Sequence, residues 1–161
     1  MSAAPALAHR SFRRLHTRDL PRVMEIERSA YQQCWTEGIF HDCLRVGYEC
    51  WAILEALEIV GYGILSIGAG EAHLLNICVM PACQGRGLGR ELLNYLIDWA
   101  DDRGALAIYL EVRLSNVRAQ SLYRSSGFSE VGKRSGYYPA DSLMVREDAL
   151  LFRLDLVGEG T

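Results

Sequence analysis

Gln84-Gly85-Arg86-Gly87-Leu88-Gly89-Arg90 stands between an apolar segment at 73–79, closed by Met80-Pro81, and a run in which Leu92, Leu93, Leu96, Ile97 and Ala100 recur at helical spacing. The stretch therefore reads as a glycine-rich turn joining a strand to a helix, with Gly104 after Arg103 as the helix stop. A helix start exposes unpaired N–H groups and the positive end of its dipole, and glycines let an anion approach the backbone closely. The turn is thus suited to a pyrophosphate, with Arg86 and Arg90 as added charge. It is not a Walker loop, since no Gly-Lys-Ser/Thr follows. Nor is it a dinucleotide fingerprint, since Arg90 occupies the third small position. A connector without a ligand is the alternative.

Working outward, 10–15 reads as a strand and a helix begins near Thr17, with Pro21 in its first turn and Val23, Ile26 and Ala30 on one face. A second short helix is expected at 36–45, and 50–55 with 59–67 forms a hairpin in which Gly61 and Gly63 weaken or bend the second strand. The mostly apolar segment at 105–112 is expected to be buried on both faces, as in parallel pairing after a helical crossover. A helix at 115–125 ends at Gly127. Strands at 128–133 and 149–156 follow, joined by a long loop containing Gly136, Tyr137, Tyr138 and Pro139. The order β-α-α-β-β-β-α-β-α-β-β defines a mixed α/β sheet in a single domain spanning 1–161, with its core at about 10–157.

Composition agrees with that class. The chain has 161 residues, half of them apolar, 23% charged and only four proline, as expected of a folded domain rather than a disordered or fibrous one. Its apolar runs are far shorter than the roughly 18 residues of a membrane span. Residues 1–7 lack a basic leader, so a cytoplasmic protein is expected. The net charge of −3 offers no basic footprint for nucleic acid. Five scattered cysteines without a Cys-x-x-Cys pair read as reduced thiols, and Cys34, His41, Cys43 and Cys50 match no common zinc spacing. No Gly-x-Ser-x-Gly elbow marks a hydrolase.

The chain resembles the GNAT-superfamily acetyltransferases, whose acetyl-CoA signature Gln/Arg-x-x-Gly-x-Gly/Ala is Gln84-Gly85-Arg86-Gly87-Leu88-Gly89 here. The similarity extends to Asn76-Ile77-Cys78-Val79, Leu110-Glu111-Val112-Arg113, Ser115-Asn116, Leu122-Tyr123 and Gly127-Phe128. Trp35-Thr36-Glu37, Tyr137-Tyr138-Pro139 and Glu147-Asp148-Ala149 resemble more narrowly the bacterial ribosomal-protein-alanine N-acetyltransferases, although Cys34 stands where that subfamily usually has proline.

The resemblance implies a GNAT fold with two splayed parallel strands, at 73–79 and 105–112, that admit the pantetheine arm of acetyl-CoA. Ile77, Cys78 and Val79 would flank that arm, and Gln84, Gly85, Arg86, Gly87, Leu88, Gly89 and Arg90 would hold the pyrophosphate. Asn116 would contact the donor or simply cap its helix. Glu111, an acid inside an apolar strand, is implied as the general base, directly or through water. Tyr123 is implied as the acid that protonates the departing thiolate, a core aromatic being its plain alternative. An α-amino group, with a pKa of about 8 against about 10.4 for lysine, is the easier amine to deprotonate. Trp35 and Tyr138, with Tyr137 and Asp148 behind them, would line the acceptor groove. The implied acceptor is a protein N-terminus, in that subfamily the alanine of a small-subunit ribosomal protein. Direct attack from a monomer or weak dimer, without metal, is implied. A small-molecule or lysine acceptor, and a CoA-binding sensor without turnover, are the alternatives, and Cys78 or Cys83 would serve a covalent route.

Overall fold

The computed structural model describes residues 9–138 and 146–156. Seven strands form one sheet in the order β1-β2-β3-β4-β5-β7-β6, where β1 is Arg10–Arg14, β2 Glu49–Glu55, β3 Glu58–Gly68, β4 Glu71–Val79, β5 Ala107–Arg113, β6 Ser129–Tyr138 and β7 Glu147–Asp155. Every neighbouring pair is antiparallel except β4 and β5, which are joined by the helical crossover that parallel strands require. The helices are α1 (Leu20–Ala30), α2 (Glu37–Val46), α3 (Leu88–Asp102) and α4 (Val117–Ser125). The element order read from the sequence is the order observed.

Local chemistry sets the helix ends. Thr36 caps α2 by accepting the Ile39 N–H at 3.2 Å, and Gly47 closes it in the left-handed region at φ 82°. Pro21 sits in the first turn of α1, where its missing N–H leaves no bond unmade. The helix near Thr17 is a short 3-10 turn, Thr17–Asp19, leading into α1.

Two cores sandwich the sheet. On one face Val23, Ile26, Phe40, Cys50, Tyr62, Ile64 and Cys78 join α1 and α2 to β2, β3 and β4. On the other, Leu92, Leu93, Leu96, Ile108, Leu110, Tyr123 and Phe152 join α3 and α4 to the middle of the sheet. Gly63 allows the close approach of α3, because a Cβ there would lie 2.5 Å from Leu96 Cδ1. The bend expected of the two glycines lies beside Gly61, where the β2–β3 register shifts between Ile53 and Leu54.

Two expectations change. Gly136, Tyr137 and Tyr138 lie inside β6 rather than in a loop, because Arg134 pairs with Ala149 and Tyr138 with Glu147 across register shifts that accommodate the extra residues. Pro139 lies outside the described residues. Strand β5 is not buried on both faces. Ala107, Ile108, Leu110 and Val112 are buried, but Tyr109, Glu111 and Arg113 are only half-buried, since the α1–α2 core ends at β4. The acid at 111 therefore faces an open side of the sheet instead of interrupting an apolar core.

Candidate active site

The parallel pair β4–β5 holds together only over Glu71–Leu74 against Ala107–Leu110, and beyond those residues the strands separate. A register shift opposite Ile64 and Leu65 leaves Leu75 as the extra residue of β4. The shift turns Asn76 toward α1, whereas Leu74 remains in the α3 core. Because the Met80 N–H donates to Val60 C=O, alternate residues Ile77 and Val79 direct their peptide groups away from β3 and into the gap. Two side chains meet those carbonyls. The Tyr31 hydroxyl donates to Ile77 C=O at 2.7 Å and Gln84 Nε2 donates to Val79 C=O at 3.1 Å.

The gap opens into two clefts. One, of about 440 Å³, is lined by Ile77, Cys78 and Val79, by Gln84, Gly85, Gly87, Leu88, Gly89 and Arg90 of the turn, and by Asn116, Arg118 and Tyr123. The second, of about 180 Å³, is lined by Trp35, Glu111 and Tyr138 together with Glu27, Asn76 and Arg113. Tyr31, Ile77, Asn116 and Tyr123 line both, so the clefts meet along these four residues.

The glycine turn fits an anionic donor. Gly85 and Gly87 adopt φ of 82° and 81°, and a Cβ at either would meet nothing within 4 Å, so their surroundings are open rather than packed. Gly87 is the N-cap of α3, whose first N–H groups have no intrahelical partner. One expectation fails here. The Arg86 guanidinium is captured by Glu55 at 2.9 Å and does not line the cleft, while its carbonyl accepts from Arg10 at 3.0 Å. Arg90 does line it and donates to Ser125 Oγ at 2.8 Å. A basic residue that the sequence reading missed, Arg118, also lines the cleft and donates to Gln84 Oε1 at 2.8 Å. Asn116 caps α4 by accepting the Ala119 N–H at 3.2 Å, and it lines both clefts.

In the smaller cleft, Glu111 Oε1 lies 3.5 Å from Arg134 Nη2, and the nearby carboxylate holds the Tyr137 hydroxyl above its ordinary pKa. The Tyr138 hydroxyl is pushed up to about 12 by burial and then by the Glu111 charge, and Arg113 stacks 4.4 Å from its ring. Burial holds the Tyr123 phenol well above its ordinary pKa, so it stays protonated at neutral pH. Asp148, expected near the groove, instead staples β6 to β7 by accepting the Gly136 N–H at 2.8 Å and pairing with Lys133 at 3.1 Å.

The sequence reading missed Glu27. It is 1% exposed, and its carboxylate accepts from Tyr62 at 2.9 Å, from Asn76 at 3.0 Å and from the Trp35 N–H. Burial raises its pKa, and these donors oppose the rise. A signal existed, because Glu27 shares the Val23 and Ala30 face of α1, where an acid has no place without partners. Tyr31 was missed as well. The Cys78 thiol, buried against α1, is pushed up to about 12 by burial and then by the Glu27 charge, and is therefore a poor nucleophile. Among the described residues no group of three His, Cys, Asp or Glu side chains is placed to hold a metal ion.

A splayed β4–β5 pair with a glycine turn opening α3 defines an acyl-CoA N-acyltransferase site. The model of the acetyltransferase (GNAT) family matches residues 10–128, and the chain belongs to that family. Its relatives are specific. The chain is 38% identical over 142 residues to the [ribosomal protein bS18]-alanine N-acetyltransferase of Escherichia coli, covering 88% of this chain and 95% of that one. It is 36% identical over 138 residues to the protein of the same name from Haemophilus ducreyi, covering 86% and 94%. The crystal structure of the ribosomal-protein-S18-alanine N-acetyltransferase from Escherichia coli superimposes with a TM-score of 0.86 at 36% identity, over 95% of this chain and 99% of that one.

Proposed function

We propose that this chain transfers the acetyl group of acetyl-CoA to the N-terminal α-amino group of a protein, and that the acceptor is the N-terminal alanine of a small-subunit ribosomal protein. The names of its bS18-alanine relatives support the acceptor. One observation carries the chemistry: two clefts meet at Tyr123, and Glu111 lines only the smaller. Donor and acceptor then arrive from opposite sides of one point.

The thioester supplies an activated acetyl group. Gly85, Gly87 and the first N–H groups of α3 hold the diphosphate, with Arg90 and Arg118 as cations, while Ile77 and Val79 offer peptide groups to the pantetheine amides. On the other side, Glu111 removes a proton from the ammonium, directly or through water. The free amine attacks and the N–C bond forms, the nitrogen loses its second proton to water, and the C–S bond breaks to leave the neutral amide, while Glu111 returns its proton to solvent. Tyr123 gives its proton to the departing thiolate and recovers one from solvent. The inert Cys78 thiol supports direct attack over an acetyl-cysteine route. Trp35 and Tyr138 flank the incoming chain. The same reading has one domain with its core at about 10–157 working in the cytoplasm as a monomer or weak dimer, without metal or nucleic acid.

A peptide panel incubated with acetyl-CoA and read by mass spectrometry tests this. A peptide starting Ala-Arg is expected to gain one acetyl group at its N-terminus, and a lysine peptide blocked at its N-terminus none. Glu111→Gln lowers kcat by about 10²–10⁴-fold, the usual contribution of a positioned base, with the calorimetric CoA affinity unchanged. Acetylation of the blocked peptide alone would overturn the acceptor, and undiminished turnover by the variant would overturn the base.

A further inference from the structure

Glu111 is not a bare carboxylate. The Arg134 guanidinium reaches it from β6 at 3.5 Å, and the two side chains are 54% and 26% exposed. The same guanidinium lies 5.2 Å from the centre of the Tyr137 ring. We propose that Arg134 is a tethered stand-in for the acceptor's ammonium, an affinity-setting cation that occupies Glu111 and that every incoming amine must displace.

The geometry suits a group that leaves. At 3.5 Å the contact is an ion pair without a tight hydrogen bond, and exposed pairs of this kind are weak. The Tyr137 ring offers the guanidinium a second interaction that survives displacement. A guanidinium cannot surrender its proton, so it neutralises Glu111 without acting as an acceptor. An unpaired carboxylate at an open cleft would attract any cation, lysine side chains and free amines included. Arg134 lowers the affinity of every amine by the same factor. Ratios between amines are unchanged, but only an acceptor with further contacts, such as those offered by Trp35 and Tyr138, still saturates the site. This inference rests on the acceptor reading of Glu111.

The test is calorimetric binding of an Ala-Arg-starting peptide, and separately of alaninamide, to the CoA-loaded protein, which needs no turnover. Arg134→Gln is expected to tighten both by the same factor of about two to five, the range of an exposed ion pair, and Arg134→Lys to leave both unchanged. In a Glu111→Gln background the gain from Arg134→Gln disappears. Unchanged or weaker binding by Arg134→Gln would overturn the proposal. A gain that persists without Glu111 would do the same, because it would report bulk charge repulsion. Failure of the peptide to bind even the wild-type protein would instead overturn the acceptor reading, and this inference with it.

Discussion

Glu111 and Glu27 are both carboxylates lining the smaller cleft, and their surroundings give them different work. Glu27 is saturated by Tyr62, Asn76 and the Trp35 N–H, so it ties α1, β3, β4 and the chain before α2 into one unit. Glu111 has an exposed partner in Arg134, and under the proposed reaction it is the group that receives the ammonium's proton. Tyr123, kept protonated by burial, is the proposed donor to the thiolate. Tyr123→Phe is expected to lower kcat by about 10- to 100-fold, less than Glu111→Gln, because a thiolate with a pKa near 8.5 leaves tolerably without help. Steady-state kcat measured beside calorimetric CoA affinity checks this, and an unchanged kcat would sink the acid role. Glu111 was legible because an acid between Leu110 and Val112 contradicts its neighbours. Glu27 was harder to read, since its partners come from β3, β4 and the loop before α2.

At the scale of elements, the turn and α3 are nearly all local chemistry. Gly87 sits at φ 81°, where a Cβ is strained, whereas Gly89 lies within α3 at an ordinary dihedral, and a Cβ there would meet Leu122 at an unstrained 3.7 Å. Gly87→Ala is therefore expected to cost about 1–2 kcal/mol and to weaken CoA binding. Gly89→Ala should gain up to about 1 kcal/mol through helix propensity and keep CoA affinity, as the Gly/Ala position of the signature implies. Urea denaturation and calorimetry of the two variants read both effects. Equal stability losses would contradict the assigned roles. The register shift at Leu75, the length of β6 and the capture of Arg86 by Glu55 were not legible. Each depends on a partner strand or side chain far away in the sequence.

For the molecule as a whole, function needs the sheet open at β4–β5 and closed elsewhere, so the edges are secured by side chains. At the β1 edge, Asp19 accepts from Arg13 at 2.8 and 3.0 Å and from the His16 N–H at 2.8 Å, fixing the entry to α1. The hydrogen bonds from Arg13, then from the His16 N–H, hold this carboxyl below its ordinary 3.8 against the opposing effect of burial. A depressed folded pKa adds stability above the unfolded value that is lost as pH falls through the folded one. Asp19→Asn is thus expected to cost about 1–3 kcal/mol at pH 7, and the gap from wild type to close as the pH falls below about 4. Denaturation midpoints across that pH range decide it, and a pH-independent gap would refute the charged role of Asp19.

By itself the sequence determined the element order and the glycine turn with its anion-ready helix start, and it set Glu111 apart as an acid among apolar neighbours, while Tyr123, Trp35 and Tyr138 were pointed to only by the family resemblance. Periodicity, φ preference and an acid out of place are properties of neighbours along the chain. Only the tertiary structure decided that β4 and β5 part after four paired residues, that Glu27 and Tyr31 brace the parted strand, and that Arg134 rests on Glu111. Those features arise where strands distant in sequence compete for the same hydrogen bonds and charges, and that competition is settled only once the sheet has formed.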